Sequence, residues 1–173
     1  LHNGQVKQIV GSTLSDSNDN NLQTNFASSQ PSAYYAEMYK KDGLTGGHII
    51  MLGPGNEEAA TQALAAYPGG LQVGGGITVD NAEKWLERGA SGVIVTSWVF
   101  KDGQIHEDRL QQLLSTIGKD HLILDLSCRR RGDDYYIVND RWQNFTDVKV
   151  NHESMAYFAS FCCEFLVHAV DVE

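Results

Sequence analysis

Residues 6–10, 48–52, 71–77, 92–97, 121–126 and 165–172 are short apolar runs, and most of the segments between them carry apolar residues at helical spacing. Continuous apolar strands separated by helices of about 10–15 residues are buried on both faces, the pattern of a parallel sheet with right-handed crossovers. Two architectures satisfy it, an open doubly wound sheet and a (β/α)8 barrel. Helices are expected over 32–41, from Asn56 to just before Pro68, from Thr78 to Gly89, over 107–117 and over 151–163. Ser32 and Asn56 are the expected caps of the first two, and Ala82, Trp85 and Leu86 form the inward face of the third. Residues 12–30 read as a long exposed loop. Residues 129–147 read as a polar excursion with a hairpin-like piece at 135–138. At 173 residues, with 42% hydrophobic and 20% charged, the chain is long and apolar enough for one packed domain over 1–173.

The run at 71–77 breaks into Gly74, Gly75 and Gly76 before Thr78 and Asp80 open a helix. Three glycines weaken a strand, so they belong where another group approaches the backbone. Bare N–H groups leading into a helix N-terminus suit an anion, so a phosphate is expected here. A tight strand-to-helix turn with no ligand is the alternative. No acidic residue follows at the spacing of a dinucleotide fingerprint. Other polar groups recur at C-terminal strand ends: Thr96 with Ser97, Asp125, and Asp171 with Glu173. Both candidate architectures place ligands at that end.

The formal net charge of −9 argues against a general nucleic-acid or anionic-membrane surface. No apolar run reaches the length of about 18 residues needed to cross a membrane. The odd count of three cysteines, Cys128, Cys162 and Cys163, gives no disulfide framework, and the scattered histidines give no metal spacing. A reducing compartment fits. The chain shows no Met start and no transit segment, and both ends read as truncations. Cys128, His48 and His168 are expected in the core. Arg129, Arg130 and Arg131 read as a solvated charge run. An internal echo pairs Asp125-Leu126-Ser127-Cys128, followed by Tyr136-Ile137-Val138, with Leu1-His2-Asn3-Gly4, followed by Gln8-Ile9-Val10. A half-barrel repeat would put an aspartate, the mate of Asp125, just before Leu1.

The segments at 1–11, 71–77, 93–97, 124–129, 140–143 and 165–173 resemble, in family order, the eukaryotic branch of the histidine-biosynthesis isomerases. The Asp-Leu-Ser-Cys-Arg stretch from Asp125 and the His-Ala-Val-Asp-Val-Glu stretch from His168 carry the resemblance to this branch. The glycine triplet is shared more widely. The resemblance implies an α/β protein, an incomplete (β/α)8 barrel with about six of eight units. It also implies an Amadori aldose–ketose rearrangement of a bisphosphorylated ribotide, with no cofactor and no metal. Asp125 would be the general acid, and an aspartate preceding Leu1 the base. Gly75, Gly76, Thr96 and Ser97 would bind phosphate. Arg141 and Trp142 would meet the substrate's heteroaromatic ring, and His2 and Asp171 are secondary candidates. Two residues depart from the bacterial pattern: Thr78 stands where an arginine is common, and Ala169 where a threonine assists catalysis. The full-length protein is expected to be a monomer in cytoplasm or plastid, and this piece alone to be inactive. The sister cyclase and a non-catalytic phosphate-binding truncation are the rival readings.

Overall fold

The computed structural model describes residues 1–10, 23–139 and 144–172. The backbone divides into two units, Leu1–Gln8 with Thr24–Ile94, and Ile9–Gln23 with Val95–Glu173. Lys7–Ile9 (β1), whose last residue belongs to the second unit, and Thr24–Ala27 (β2) form a two-stranded sheet. The second of these falls inside the stretch expected to be loop. Its Thr-Asn-Phe-Ala sequence is exposed throughout, so no alternation of apolar and polar residues announced it. Residues 12–22 of that loop lie outside the described residues.

Three strands of the first unit run parallel: Gly47–Ile50 (β3), Leu71–Gly74 (β4) and Gly92–Val95 (β5), whose last residue belongs to the second unit. Ile49 stands opposite Val73, and Val73 opposite Val93. Every residue of β4 and β5 is buried, and apart from Gln72 both strands are free of polar side chains. The helices Ser32–Lys41 (α1), Glu57–Ala66 (α2) and Val79–Glu87 (α3) lie before β3, between β3 and β4, and between β4 and β5. Ala36, Ala59, Ala60 and Ala63 are buried, and such small side chains let helices approach closely. Ser32 is the first residue of α1 and not its cap. It is buried, and its hydroxyl donates to the Ala59 carbonyl of α2 at 2.6 Å. Asn56 sits at the cap position of α2 but donates instead to the carbonyls of Leu52 and Gly53 and accepts from the Gly4 amide. Its side chain therefore locks the loop after β3. Trp85 is a core residue at 4% exposure, as expected, while Leu86 is half-buried. His48 is exposed, not in the core. It stands with Tyr35, Tyr39 and Ile50 around a cavity of ≈ 290 Å³.

The second unit opens with a hairpin, Phe100–Lys101 (β6) against Gln104–Ile105 (β7), turning through Asp102 and Gly103, both at positive φ. The helix Glu107–Ile117 (α4) has the predicted bounds, buries Leu110, Leu113 and Ile117, and ends at Gly118. Leu122–Asp125 (β8) follows. The polar excursion proves to be an antiparallel sheet of Cys128–Arg131 (β9), Asp134–Asn139 (β10) and Asn144–Lys149 (β11), with β10 in the middle. Its edges are charged, and the arginines of β9 are strand residues. Arg131 lies 3.9 Å over the Tyr136 ring, and Arg130 pairs with Asp133 at 3.8 Å. The helix His152–Phe158 (α5) is shorter than expected and opens on a capping box between Asn151 and Ser154. Phe158 meets Phe100 edge-on at 5.5 Å, and both are fully buried. The last strand is only Glu164–Leu166 (β12), parallel to β8, and Val170–Val172 form a 3-10 turn where strand was expected.

Two consequences follow for the glycines and the thiols. A Cβ on Gly75 would stand 2.1 Å from the Met51 carbonyl oxygen at φ +95°, whereas at Gly76, φ +70°, nothing lies within 4 Å. Gly76→Ala is expected to cost about 1 kcal/mol from its left-handed backbone alone. Gly75→Ala should cost roughly 3 kcal/mol or more. Urea unfolding checks this, and equal losses would contradict it. Burial raises all three thiols: Cys128, where Asp125 and Asp171 add to it, Cys163, and Cys162, which is pushed up to about 11. Only Cys163 is exposed. Alkylation of the native chain at pH 8 should mark Cys163 first, and Cys128 and Cys162 only after unfolding. Rapid marking of Cys128 would contradict the packing.

Candidate functional site

Leu122, Ile123 and Leu124 are fully buried, and Asp125 follows them as the last residue of β8, half-buried ahead of the buried Leu126 and Ser127. Both carboxylate oxygens are held. Oδ1 accepts from the Ser127 amide at 2.7 Å and the Ser127 hydroxyl at 2.5 Å, and Oδ2 accepts from the Thr96 hydroxyl at 3.0 Å. Ser127 is 1% exposed, and its own carbonyl takes the Val138 amide of β10 at 2.8 Å. The Thr96 carbonyl takes the amides of Val99 and Phe100, both at 3.0 Å. Each donor that reaches Asp125 is thus anchored through its own backbone.

The pairing of β8 with β12 puts Asp125 opposite Leu166. Hydrogen bonding continues past both strand ends, from the Leu126 amide to the Leu166 carbonyl and from the Cys128 amide to the His168 carbonyl, each at 2.7 Å. Ala169 bridges Cys128. This brings Asp171 to the same end of the sheet, where its Oδ1 accepts from Arg129 Nε at 2.8 Å. Both members of that ion pair are more than a third exposed, so it adds little to stability, about 0–1 kcal/mol. It does commit one oxygen of Asp171 to a cation. Trp98 is half-buried; Arg109 lies 5.2 Å over its ring and donates to its carbonyl at 2.7 Å. Those contacts make Trp98 a packing anchor.

In the first unit the glycine turn has a structural cause. The Met51 amide donates to the Gly74 carbonyl at 2.9 Å, and the Met51 backbone fills the space where a side chain on Gly75 would go. The start of α3 is already served by protein groups. The Thr78 amide donates to Asn81, the Asp80 amide to the Thr78 hydroxyl, and the Asn81 side chain to the Gly76 carbonyl. Gly75 also lines a cavity of ≈ 450 Å³ with Met51, Asn56, Asn81, Lys84 and Trp85. The cations there are engaged, since Lys84 and Arg88 both reach Glu57 at 2.9 Å and hold its carboxyl below the usual range. His2 is buried, with Nδ1 3.1 Å from Lys7 Nζ, and it bridges Leu52 in parallel.

The structure therefore joins Asp125 and Thr96 and sets Asp171 beside Arg129. Ser97 is exposed at the end of β5. Arg141 and Trp142 lie outside the described residues. Ser127 was not foreseen from the sequence, although Asp-Leu-Ser is the spacing of a carboxylate that accepts from the amide two residues on. Among the described residues no group of acidic, histidine or cysteine side chains is arranged to hold a metal, and no helix is long and apolar enough to cross a membrane.

Residues 1–173 match the family described as histidine biosynthesis protein. Three relatives are named 1-(5-phosphoribosyl)-5-((5-phosphoribosylamino)methylideneamino)imidazole-4-carboxamide isomerase. They come from Medicago truncatula (chloroplastic, 54% identical), Neurospora crassa (51%) and Saccharomyces cerevisiae (47%). Each alignment covers the whole of this chain but only 57%, 68% and 67% of the relative. The chain thus spans a little over half of the plant protein and about two thirds of the fungal ones. It is a member of the histidine biosynthesis protein family, similar along its whole length to the isomerases of that family.

Proposed function

We propose that the whole protein to which this chain belongs is an aldose–ketose isomerase acting on a bisphosphorylated ribotide, with Asp125 as its general acid. One observation carries the assignment. Asp125 ends a buried strand, and three protein donors fix its carboxylate at that end. A surface aspartate has no need of such an arrangement.

The chemistry needs an acid first. Protonation of the ribose ring oxygen lets the C1–O bond break, while the nitrogen lone pair forms C=N. A base then removes the C2 proton, and the resulting enolamine tautomerises to the ketose. The resemblance puts that base on the segment preceding Leu1. Gly75 and Gly76 are read as offering N–H groups to phosphate in the first unit, and Ser97 its hydroxyl in the second. The Thr96 hydroxyl already serves Asp125, so a phosphate role for Thr96 would fall to its backbone. Arg141 and Trp142 are assigned to the heteroaromatic ring on resemblance alone. His2 is better placed to support the loop after β3 than to react. The relatives' names favour the isomerase over a cyclase. The compartment, plastid or cytoplasm, follows the host, and the working unit is a monomer.

Turnover of the aminoaldose ribotide by the whole protein tests this. Asp125→Asn should lower kcat by about 100-fold or more, the usual contribution of a general acid. Asp171→Asn should lower it by less than about tenfold, as expected for a carboxylate already paired with Arg129. The reverse order would move the acid to Asp171. Parental kcat in both variants would end the assignment.

A further inference from the structure

We propose that Ser127 and Thr96 are positioning residues that designate Oδ2 of Asp125 as the oxygen that carries and delivers the proton; this rests on the reading of Asp125 as the acid. The two oxygens differ in what surrounds them. Oδ1 faces the Ser127 amide at 2.7 Å, and a backbone N–H can only donate. A proton on Oδ1 would point at that amide hydrogen and at the Ser127 hydroxyl 2.5 Å away. Among the described residues the donor to Oδ2 is the Thr96 hydroxyl, 3.0 Å away, and a hydroxyl can donate or accept. The acid form of Asp125 therefore carries its proton on Oδ2, with Thr96 Oγ1 turned to accept, while Ser127 keeps hold of Oδ1.

The step balances. The Oδ2–H turns about its C–O bond from Thr96 Oγ1 to the ribose ring oxygen, and it breaks as the proton passes to that oxygen. The C1–O bond breaks with its electron pair going to that oxygen, and the nitrogen pair closes C=N. Asp125 is left as a carboxylate, and Thr96 rotates its O–H back to donate to Oδ2. No heavy atom has to move, because Thr96 is held through its carbonyl by Val99 and Phe100, and Ser127 through its carbonyl by Val138. Only hydrogens reorient, which keeps the reorganisation during the reaction small.

The alternative is that Ser127 and Thr96 only finish a turn and a strand end. Steady-state kinetics of the whole protein separates the two. Thr96→Val keeps the shape and removes the hydroxyl, and Ser127→Ala removes the second donor. Both should lower kcat by about tenfold or more while KM stays within about threefold. Thr96→Ser and Ser127→Thr, which keep a hydroxyl, should return kcat to within about threefold of the parent. In an Asp125→Asn background Thr96→Val should cost nothing further, because a residue acting through Asp125 has lost its object. The proposal is overturned if Thr96→Val and Ser127→Ala keep parental kcat, if they change KM alone, or if their cost persists beside Asp125→Asn. Rescue failing in Thr96→Ser while its thermal melt matches the parent would overturn it too. If Asp125→Asn itself retains parental kcat, the acid reading falls first, a result distinguishable from all of these.

Discussion

A charged group inside a strand buried on both faces is costly, so it falls at the strand's end. Leu122 to Leu124 are at most 2% exposed, and one residue later the chain carries a carboxylate with three donors on it. Burying an ionised group without partners costs far more than a domain can spare. The position of Asp125 and the identity of its neighbours therefore follow from one constraint. The buried span of the strand excludes a charge, and the carboxylate must be partnered as soon as it appears. In the first unit the fully buried β4 gives way to a turn whose Gly74 and Gly76 carbonyls are taken up by Met51 and Asn81.

The two glycines of that turn separate two causes that the sequence presents as one. Gly75 is required by the passing Met51 backbone, with or without a ligand. Gly76 has open space around it, so its glycine reflects backbone conformation and leaves its surroundings accessible. A run of three glycines reads as a single anion motif, but the packing assigns each residue a different reason. Thr96 shows the same thing from the other side. A hydroxyl at a strand end looks like a phosphate contact, yet here it has a carboxylate within reach.

What could be read in the chain was the part governed by burial. The strands β4, β5 and β8 and the helix α4 announced themselves by apolar runs and helical spacing, and Asp125 stood out because it broke such a run. What could not be read was structure held by pairing across the surface. The strand β9 is Cys-Arg-Arg-Arg and β2 is Thr-Asn-Phe-Ala, and neither shows the alternation that marks a half-buried strand. β2 is held by its pairing with β1, and β9 by its pairing with β10, by ion pairs and by cations over rings, none of which has a local signature. His48 failed as a core residue for a related reason. It sits in β3 beside apolar residues, but β3 is only partly buried, with just Ile49 fully enclosed. Ser127 was missed because a serine two residues after an aspartate is common, and only the packing of β10 against its carbonyl makes it a fixed donor.

The central claim is that Asp125 meets the substrate through Oδ2 while Ser127 retains Oδ1. The most direct measurement is a crystal structure of the whole protein with a bound bisphosphorylated aminoaldose or an unreactive analogue. The account predicts Oδ2 of Asp125 within about 3.2 Å of the ribose ring oxygen, with Ser127 still donating to Oδ1. A ring oxygen that instead lies against Asp171, with Asp125 turned away from the ligand, would contradict it.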